Sequence, residues 1–342
     1  MRFFLRSIAA ALVAAAAVSG VAEASKSPTV ERIKKNGFLR CGVAEGLAGF
    51  ASPDTKGNWS GFDVDFCRAL AAVILNDASK VRYTPTSAKV RFTALQSGEF
   101  DVLSRNTTWT MSRDVQLGLE FIGVTYYDGQ GFIVPKSLKV TSAKQLNGAT
   151  ICTNTGTTTE LNLADYFRSN NMKYKIVAFE KVAEVLAAYD NGRCDAYTTD
   201  ASGLYAERLK LKNPADHVIL PEIISKEPLG PAINHGDQRW GDVARWTLFA
   251  LINAEELGVT SKNVDQMMKS PNPEIRRLLG VEGAFGESLG LSKDWAARAI
   301  RQVGNYGEIF ERNVGQGSPL KIRRGYNALW NKGGVLYAPP IR

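Results

Sequence analysis

Histidine is scarce in this chain: its 342 residues hold two, His217 and His235. Cysteine is little commoner. Cys41, Cys67, Cys152 and Cys194 stand singly, with no C-x-x-C pair among them. Together these shortages exclude a zinc site, which draws on clustered Cys and His. No G-K-[ST] occurs, which excludes a Walker-type phosphate loop. Past the first 24 residues, no apolar run approaches the roughly 20 residues of a membrane helix. What remains is ordinary for a globular protein: 44% hydrophobic and 22% charged residues. The formal charge of +8 comes from basic residues scattered along the chain. Such a pattern suits a mixed surface and gives no reason to expect a nucleic-acid partner.

The first 24 residues differ. MRFFLR carries Arg2 and Arg6, SIAAALVAAAAVSGV is apolar, and Ala22-Glu23-Ala24 is a small-x-small cleavage pattern before Ser25. This is the layout of a cleaved secretory signal. Residues 1–24 are therefore set apart from the fold, and their loss lowers the formal charge to +7. An exported chain with an even cysteine count is expected to form disulfides, for which three pairings exist. Pairing in chain order, Cys41 with Cys67 and Cys152 with Cys194, is preferred because the chain reads as two similar halves.

The likeness of the halves lies in two segments. VRYTPTSAKVRFTALQSGEFDVLSRNTT, from Val81, and YKIVAFEKVAEVLAAYDNGRCDAYTTD, from Tyr174, each read as strand, loop, helix, glycine stop and strand. The stops are Gly98 and Gly192, each followed three residues on by an aspartate, Asp101 and Asp195. Upstream, TVERIKKNG is helix-like and FLRCGVA strand-like. GFDVDFCRALAAVILND has Phe66, Leu70, Val73 and Ile74 at helical spacing. The expectation is two α/β lobes of one plan. In open α/β sheets ligands bind beyond the carboxyl ends of the strands. That rule selects Asn106, Thr107 and Thr108 in the first half, and Thr199 and Asp200 in the second.

These clusters carry complementary chemistry. In SRNTTWTMSRD, Thr110 is a candidate N-cap and Arg113 a cation able to grip a carboxylate with two parallel bonds. The bland alternative is a surface arginine paired with Asp114 or Glu120. In TGTTTE, Gly156 permits a turn and Thr157-x-x-Glu160 is a capping box, so a helix opens near Thr158 and offers free amides to an anion. Asp200 supplies the opposite sign, unless it merely caps the helix that follows. A cation, anion-binding amides and a carboxylate facing one cleft complement a zwitterion, which is an α-amino acid.

GFDVDFCRALAAVI, NTTWTMSRD, TGTTTE and DAYTTD together resemble the family 3 solute-binding proteins, the periplasmic amino-acid receptors of ABC transporters. EIISKEPLGPAI, YGEIFERN, NALWNKGG and YAPPIR resemble the general L-amino-acid-binding subgroup. The resemblance spans nearly all of the mature chain. It implies an α/β, two-lobed (Venus flytrap) periplasmic-binding-protein fold, each lobe a mixed sheet flanked by helices, joined by a two-strand hinge. Crossings are expected near Phe132 to Lys136 and Pro221 to Pro231. One lobe then takes 25–134 and 227–342, with its long C-terminal part returning over it, and the other takes 135–226. The resemblance also implies that Arg113, with the amides of Thr108 and Thr158, binds the α-carboxylate. The Thr108 hydroxyl, the Asn106 carbonyl and Asp200 would bind the ammonium. Glu45, Leu47 and Phe50, with Arg91 and Trp109, would line the side-chain pocket. Asn106 stands where the family motif has glycine. A periplasmic location, no cofactor, a monomeric state and an inner-membrane ABC permease as partner complete the expectation. The rival reading is a periplasmic dehydratase-like enzyme using Glu45 and Asp200; a sensor or adhesion protein built on the same lobes is a third.

Overall fold

The computed structural model describes residues 26–342, so the export signal expected over 1–24 lies outside the described residues. The strands in chain order are β1 (Leu39–Val43), β2 (Ser52–Pro53), β3 (Trp59–Ser60), β4 (Val81–Pro85), β5 (Val102–Leu103), β6 (Leu119–Phe121) and β7 (Tyr126–Asp128). They continue as β8 (Gln130–Pro135), β9 (Thr150–Asn154), β10 (Lys175–Phe179), β11 (Ala196–Asp200), β12 (His217–Ile219), β13 (Glu227–Leu229) and β14 (Ala232–Asn234).

Two five-stranded sheets form, in the orders β4-β1-β5-β14-β6 and β10-β9-β11-β8-β12. Their plans coincide position by position. In each, three mutually parallel strands are followed by two antiparallel pairings, so only the fourth strand runs the other way. The doubled motif of the sequence is the reason. Helix Arg91–Gln96 joins β4 to β5, and helix Val182–Asp190 joins β10 to β11. Gly98 and Gly192 end the two turns at φ +76° and +73°, a conformation that disfavours any side chain. The repeated aspartates have a structural use. An Asp101 carboxylate oxygen accepts from the backbone N–H of Arg40 at 2.9 Å. Asp195 does the same for Thr150 at 2.7 Å. Each clips the start of the neighbouring parallel strand.

The crossings differ in part from expectation. Most of the segment expected as a crossing, Phe132 to Lys136, belongs to β8 (Gln130–Pro135), which lies wholly within the second sheet, between β11 and β12. The chain leaves the first sheet's side through β7, which pairs with β13 in an antiparallel two-stranded link, Glu227 opposite Asp128. The apolar run QGFIVP reads as one buried strand in either place. Only its partners decide, and these come from β11 and β12, distant in sequence.

The C-terminal part packs over the first sheet. Helix Phe62–Leu75 is buried between that sheet and helix Trp295–Val303. Arg312 and Asn313 reach Asp65 in its first turn at 2.9 and 2.6 Å. Asn327 takes both backbone groups of Tyr127 on the crossing strand β7, at 2.7 and 3.0 Å. No helix among the described residues is long and apolar enough to cross a membrane.

Disulfides join Cys41 to Cys67 and Cys152 to Cys194, one beneath each sheet. Peptide mapping under non-reducing conditions should recover these two pairs. A bridge linking Cys41 or Cys67 to Cys152 or Cys194 would contradict both this structure and a cleft free to open.

Candidate functional site

A cleft of about 540 Å³ lies between the two sheets, its walls drawn from the loops at their carboxyl edges. Seven of the residues expected at a site line it: Glu45 and Leu47 after β1, Arg91 at the start of the helix between β4 and β5, Asn106 and Thr108 after β5, Thr158, and Asp200 at the end of β11.

The segment after β5 is shaped by a residue that sequence reading passed over. Asp63, in the first turn of helix Phe62–Leu75, accepts from the backbone N–H of Asn106 at 2.9 Å and from Ser104 Oγ at 3.4 Å. Burial pushes its carboxyl up to about 6, opposed by the Asn106 bond and Arg105. Asn106 itself sits at φ +28°, a region where Asn is among the tolerated residues after glycine. This explains how Asn can replace the glycine of the family motif.

Thr108 forms an isolated antiparallel bridge with Leu229, flanked by the bonds Trp109 N–H to Pro228 O and Gly230 N–H to Thr107 O. In such a pair the bridged residue keeps its own N–H out of the ladder. Among the described residues nothing accepts the N–H of Thr108, nor that of Thr158, the first residue of helix Thr158–Ser169. Thr157 caps this helix, its hydroxyl accepting from Glu160 N–H at 3.2 Å. The return half of the expected capping box is displaced by one residue: Glu160 accepts from Gly156 N–H at 3.1 Å.

Arg113 belongs to a single π-turn, Ser112–Gln116, with Thr110 Oγ1 accepting its backbone N–H at 3.3 Å. Its guanidinium donates to the Thr108 carbonyl at 2.8 Å and lies 5.0 Å from the Phe92 ring centre. It sits directly behind Thr108 and is not itself part of the cleft wall. The bland alternative fails. Asp114 takes the Trp109 indole N–H and Glu120 pairs with Arg245, leaving Arg113 without a salt bridge among the described residues. It is only 7% exposed. Burial weakens its hold on its proton, while Glu227 and Asp200 oppose that shift.

Arg91 is a second buried cation, 3% exposed, and its Nε–H has no partner among the described residues. Among the described residues its side chain makes one hydrogen bond, a long one to Thr107 Oγ1 at 3.4 Å. It shares the Phe92 ring with Arg113, 4.7 Å from the ring centre. Burial, then Arg105 and Arg113, lower its pKa well below the usual range. Arg105 donates Nε–H to Thr86 O at 2.9 Å and is pushed down to about 10 by burial, with Glu45 pulling back.

Asp200 holds the N-cap position of helix Ala201–Arg208 yet makes no capping bond. Asp128 takes that duty in its place, accepting from the Ser202 hydroxyl and backbone N–H. The Asp200 carboxylate is thereby left for the cleft. Burial pushes its pKa well above the normal range, and Asp128 and Glu227 push the same way against Arg91 and Asn106.

Two expected pocket residues are elsewhere. Phe50 is buried in the first lobe's core, its ring 5.4 Å from Tyr126 and 6.3 Å from Phe62. The tight turn Leu47–Ala51 folds it inward, beneath the loop that carries Glu45 and Leu47. Trp109 points away from the cleft and stacks on Phe121 at 5.6 Å. Its neighbour Thr108 faces the cleft, and successive residues in extended chain face opposite ways.

The second residue missed is Glu227, on β13 and 0% exposed. Its Oε2 accepts from the hydroxyls of Thr108 (2.5 Å) and Thr158 (2.9 Å), and its Oε1 from Asn162 (2.6 Å) and Ser225 (2.7 Å). One crossing-strand carboxylate thus ties a first-sheet loop to a second-sheet helix. The Thr108 hydroxyl, expected to face a ligand as a free group, has its proton committed to Glu227. Its lone pairs remain available to a cation. A lone Glu before Pro228 was the available signal, and nothing local gives it weight.

Arginines 91, 105 and 113, two free amides and the Asp200 carboxylate therefore meet around Thr108 and Thr158. The set can hold a negative and a positive group on neighbouring atoms, and it contains no nucleophile activated by an adjacent base.

Comparison with known proteins agrees with this geometry. Residues 39–279 match the profile of the bacterial extracellular solute-binding proteins, family 3. The general L-amino acid-binding periplasmic protein AapJ of Rhizobium johnstonii is 64% identical over 334 residues, 97% of this chain and 98% of that one. The glutamate/glutamine/aspartate/asparagine-binding protein BztA of Rhodobacter capsulatus is 56% identical, covering 96% of each chain. A solved periplasmic binding protein of an ABC transporter from Brucella ovis, with glutathione bound, is 62% identical. It superposes with a TM-score of 0.91 over 93% of this chain and 100% of that one.

Proposed function

The chain belongs to the bacterial extracellular solute-binding proteins of family 3, and from that premise we propose that it captures L-amino acids in the periplasm for an inner-membrane ABC permease. The observation that carries this reading is the pairing of unpartnered donors with a released carboxylate. Arg113 and the free N–H groups of Thr108 and Thr158 suit an α-carboxylate. Asp200, relieved of its capping duty, suits an α-ammonium, together with the Thr108 hydroxyl and the Asn106 carbonyl. Arg91, buried and nearly unbonded, suits the carboxylate or amide of a polar or acidic side chain, with Glu45 and Leu47 completing that pocket. The names of the R. johnstonii and R. capsulatus relatives support ligands of this kind. The Brucella structure supports a somewhat wider range. Glutathione begins with a γ-linked glutamate whose α-ammonium and α-carboxylate are both free.

Crossing at β7 and β13, the chain makes one lobe from residues 26–128 and 227–342 and the other from 129–226. The ligand touches both lobes. It therefore favours the closed arrangement by its higher affinity for it, and the closed form is what the permease recognises. Micromolar capture needs about 8.2 kcal/mol. At roughly 1.5–3 kcal/mol for each charge-assisted bond, a handful suffices after closure costs. The working unit is a monomer that needs no cofactor.

Asp200 makes the reading testable through pH. Its pKa is raised in the unliganded site, and a bound ammonium lowers it again. Binding therefore releases protons, and affinity should rise from acidic to neutral pH. Calorimetry in two buffers of different ionisation enthalpy reads the release directly. Asp200→Asn should remove it and weaken amino acids at least about tenfold, the equivalent of one charge-assisted bond, while sparing their des-amino analogues. Equal loss for both ligand types would remove Asp200 from the ammonium site.

The enzymatic alternative rests on Glu45 and Asp200. Glu45 faces Arg105 and Asp200 faces Arg91. Each carboxylate lies within the field of a buried arginine, which holds it toward its charged form. Recovery of a bound amino acid unchanged after long incubation is the expected result.

A further inference from the structure

Past the residues assigned to the zwitterion, the cleft runs on between two helices of the second lobe. Helix Val182–Asp190 lines one side through Ala183, Ala187 and Asp190, which stand at i, i+4 and i+7 and share one face. Helix Ala201–Arg208 lines the other through Gly203 and Glu207, with Lys210 just beyond its end. The first lobe meets this far end, where Lys210 Nζ donates to the Gly46 carbonyl at 2.8 Å. The passage therefore has small apolar walls, and charged residues stand at its end.

That end has an unfilled bonding position. Glu207 is 2% exposed. Its Oε1 accepts from Lys210 Nζ at 2.8 Å, but its Oε2 is buried with no partner among the described residues. A buried carboxylate oxygen without a donor is unfavourable, and a donor from a ligand would satisfy it. Charge decides which donor suits best. Two carboxylates, Glu207 and Asp190, line this end of the cleft with the one ammonium of Lys210. Burial pushes the Glu207 carboxyl up, with Lys210 opposing. A second cation beside Oε2 favours the charged form more strongly than a neutral N–H does.

The span limits the ligand's length. Glu207 lies seven residues beyond Asp200, roughly 10 Å at the helical rise. An extended arginine side chain covers roughly 7 Å from its α-carbon, and a hydrogen bond adds about 3 Å. An α-carbon held near Asp200 can thus send a long, unbranched side chain to Glu207, its methylenes lying against Gly203 and Ala187. Short side chains stop before it.

We propose that Glu207 is a specificity-determining residue for basic amino acids. The stem of an arginine or lysine side chain fills the passage, and its cationic end donates to Glu207 Oε2, with Asp190 as the second carboxylate. The side-chain pocket is then two-sided, with Arg91 serving acidic and amide side chains and Glu207 serving basic ones. The inference rests on the amino-acid reading above and adds a side-chain class to it.

Titration calorimetry on the full mature protein tests it with three probes: L-arginine, L-citrulline and L-alanine. Citrulline has arginine's length and terminal N–H groups without its charge. Arginine should bind about tenfold tighter than citrulline, the scale on which a charge on the donor strengthens such a bond. Glu207→Gln, which keeps the shape and removes the charge, should bring that ratio close to one. Ala187→Phe fills the passage from an exposed position, so it tests the site even if Glu207→Gln folds poorly. It should weaken arginine about tenfold relative to alanine. Equal binding of arginine and citrulline by the wild type would overturn the proposal. So would an arginine-to-citrulline ratio that survives Glu207→Gln, which would leave Glu207 only a clasp between the lobes, or an arginine-to-alanine ratio that survives Ala187→Phe. Failure of all three probes would overturn the amino-acid reading itself, which separates the two conclusions.

Discussion

Arg113→Ala should abolish capture of every amino acid by a similar factor, whatever its side chain. Truncating one partner of a buried, hydrogen-bonded charge pair costs about 2–5 kcal/mol, or roughly 30- to 5,000-fold in affinity. The uniformity matters more than the size, because the α-carboxylate is common to all these ligands. Loss confined to acidic amino acids would move Arg113 from the head group to the side-chain pocket and leave the carboxylate to Arg91. A second readout guards against mere misfolding. Among the described residues the buried guanidinium has no salt-bridge partner and one hydrogen bond, to the Thr108 carbonyl. An unpaired buried charge is itself unfavourable, so the unliganded variant should lose little stability. A steep fall in its thermal midpoint would mean that Arg113 is chiefly structural.

The contrast between Arg113 and Trp109 shows how far the chain could be read in advance. Local chemistry marks the cation, the helix start at Thr158 and the aspartate after β11, because each depends on a few adjacent residues. The same holds for the repeated strand-helix-strand motif and its glycine stops. Which way a side chain faces is a different kind of fact. Trp109 is next to a cleft residue in sequence and Phe50 three positions from one, yet both turn away from the cleft, because one residue of extended chain or one tight turn reverses direction. Asp63 and Glu227 escaped for another reason. Their partners are 43 and up to 119 residues away, and no short motif announces such a pairing. Sheet membership of Gln130–Pro135 was hidden in the same manner. Its composition fixes a buried strand, while its neighbours fix which lobe owns it.

Glu227 carries the other large expected effect. Four donors converge on its carboxylate, from Thr108 in one lobe, Thr158 and Asn162 in the other, and Ser225 on the crossing segment. Glu227→Ala removes their shared acceptor. The sum of four separate bonds would overstate the loss, because members of one network do not add and hydroxyls can reorient. A loss of about 3–5 kcal/mol is expected, in line with other broken buried polar networks. At about 2–4 °C per kcal/mol for a chain of this size, that is a midpoint lower by about 6–20 °C. Glu227→Gln should lose less, since its remaining oxygen still accepts and the hydroxyls can turn. The comparison also separates two accounts of the residue. If Glu227 ties the lobes together, both variants weaken every ligand, and small-angle scattering shows the unliganded Ala variant more open than the wild type. If it serves only to satisfy local polar groups, the midpoint falls and the scattering profile stays the same. Its place opposite Asp128 on the β7–β13 pair favours the first account, because this one carboxylate bonds to groups from both sheets beside the link that joins them.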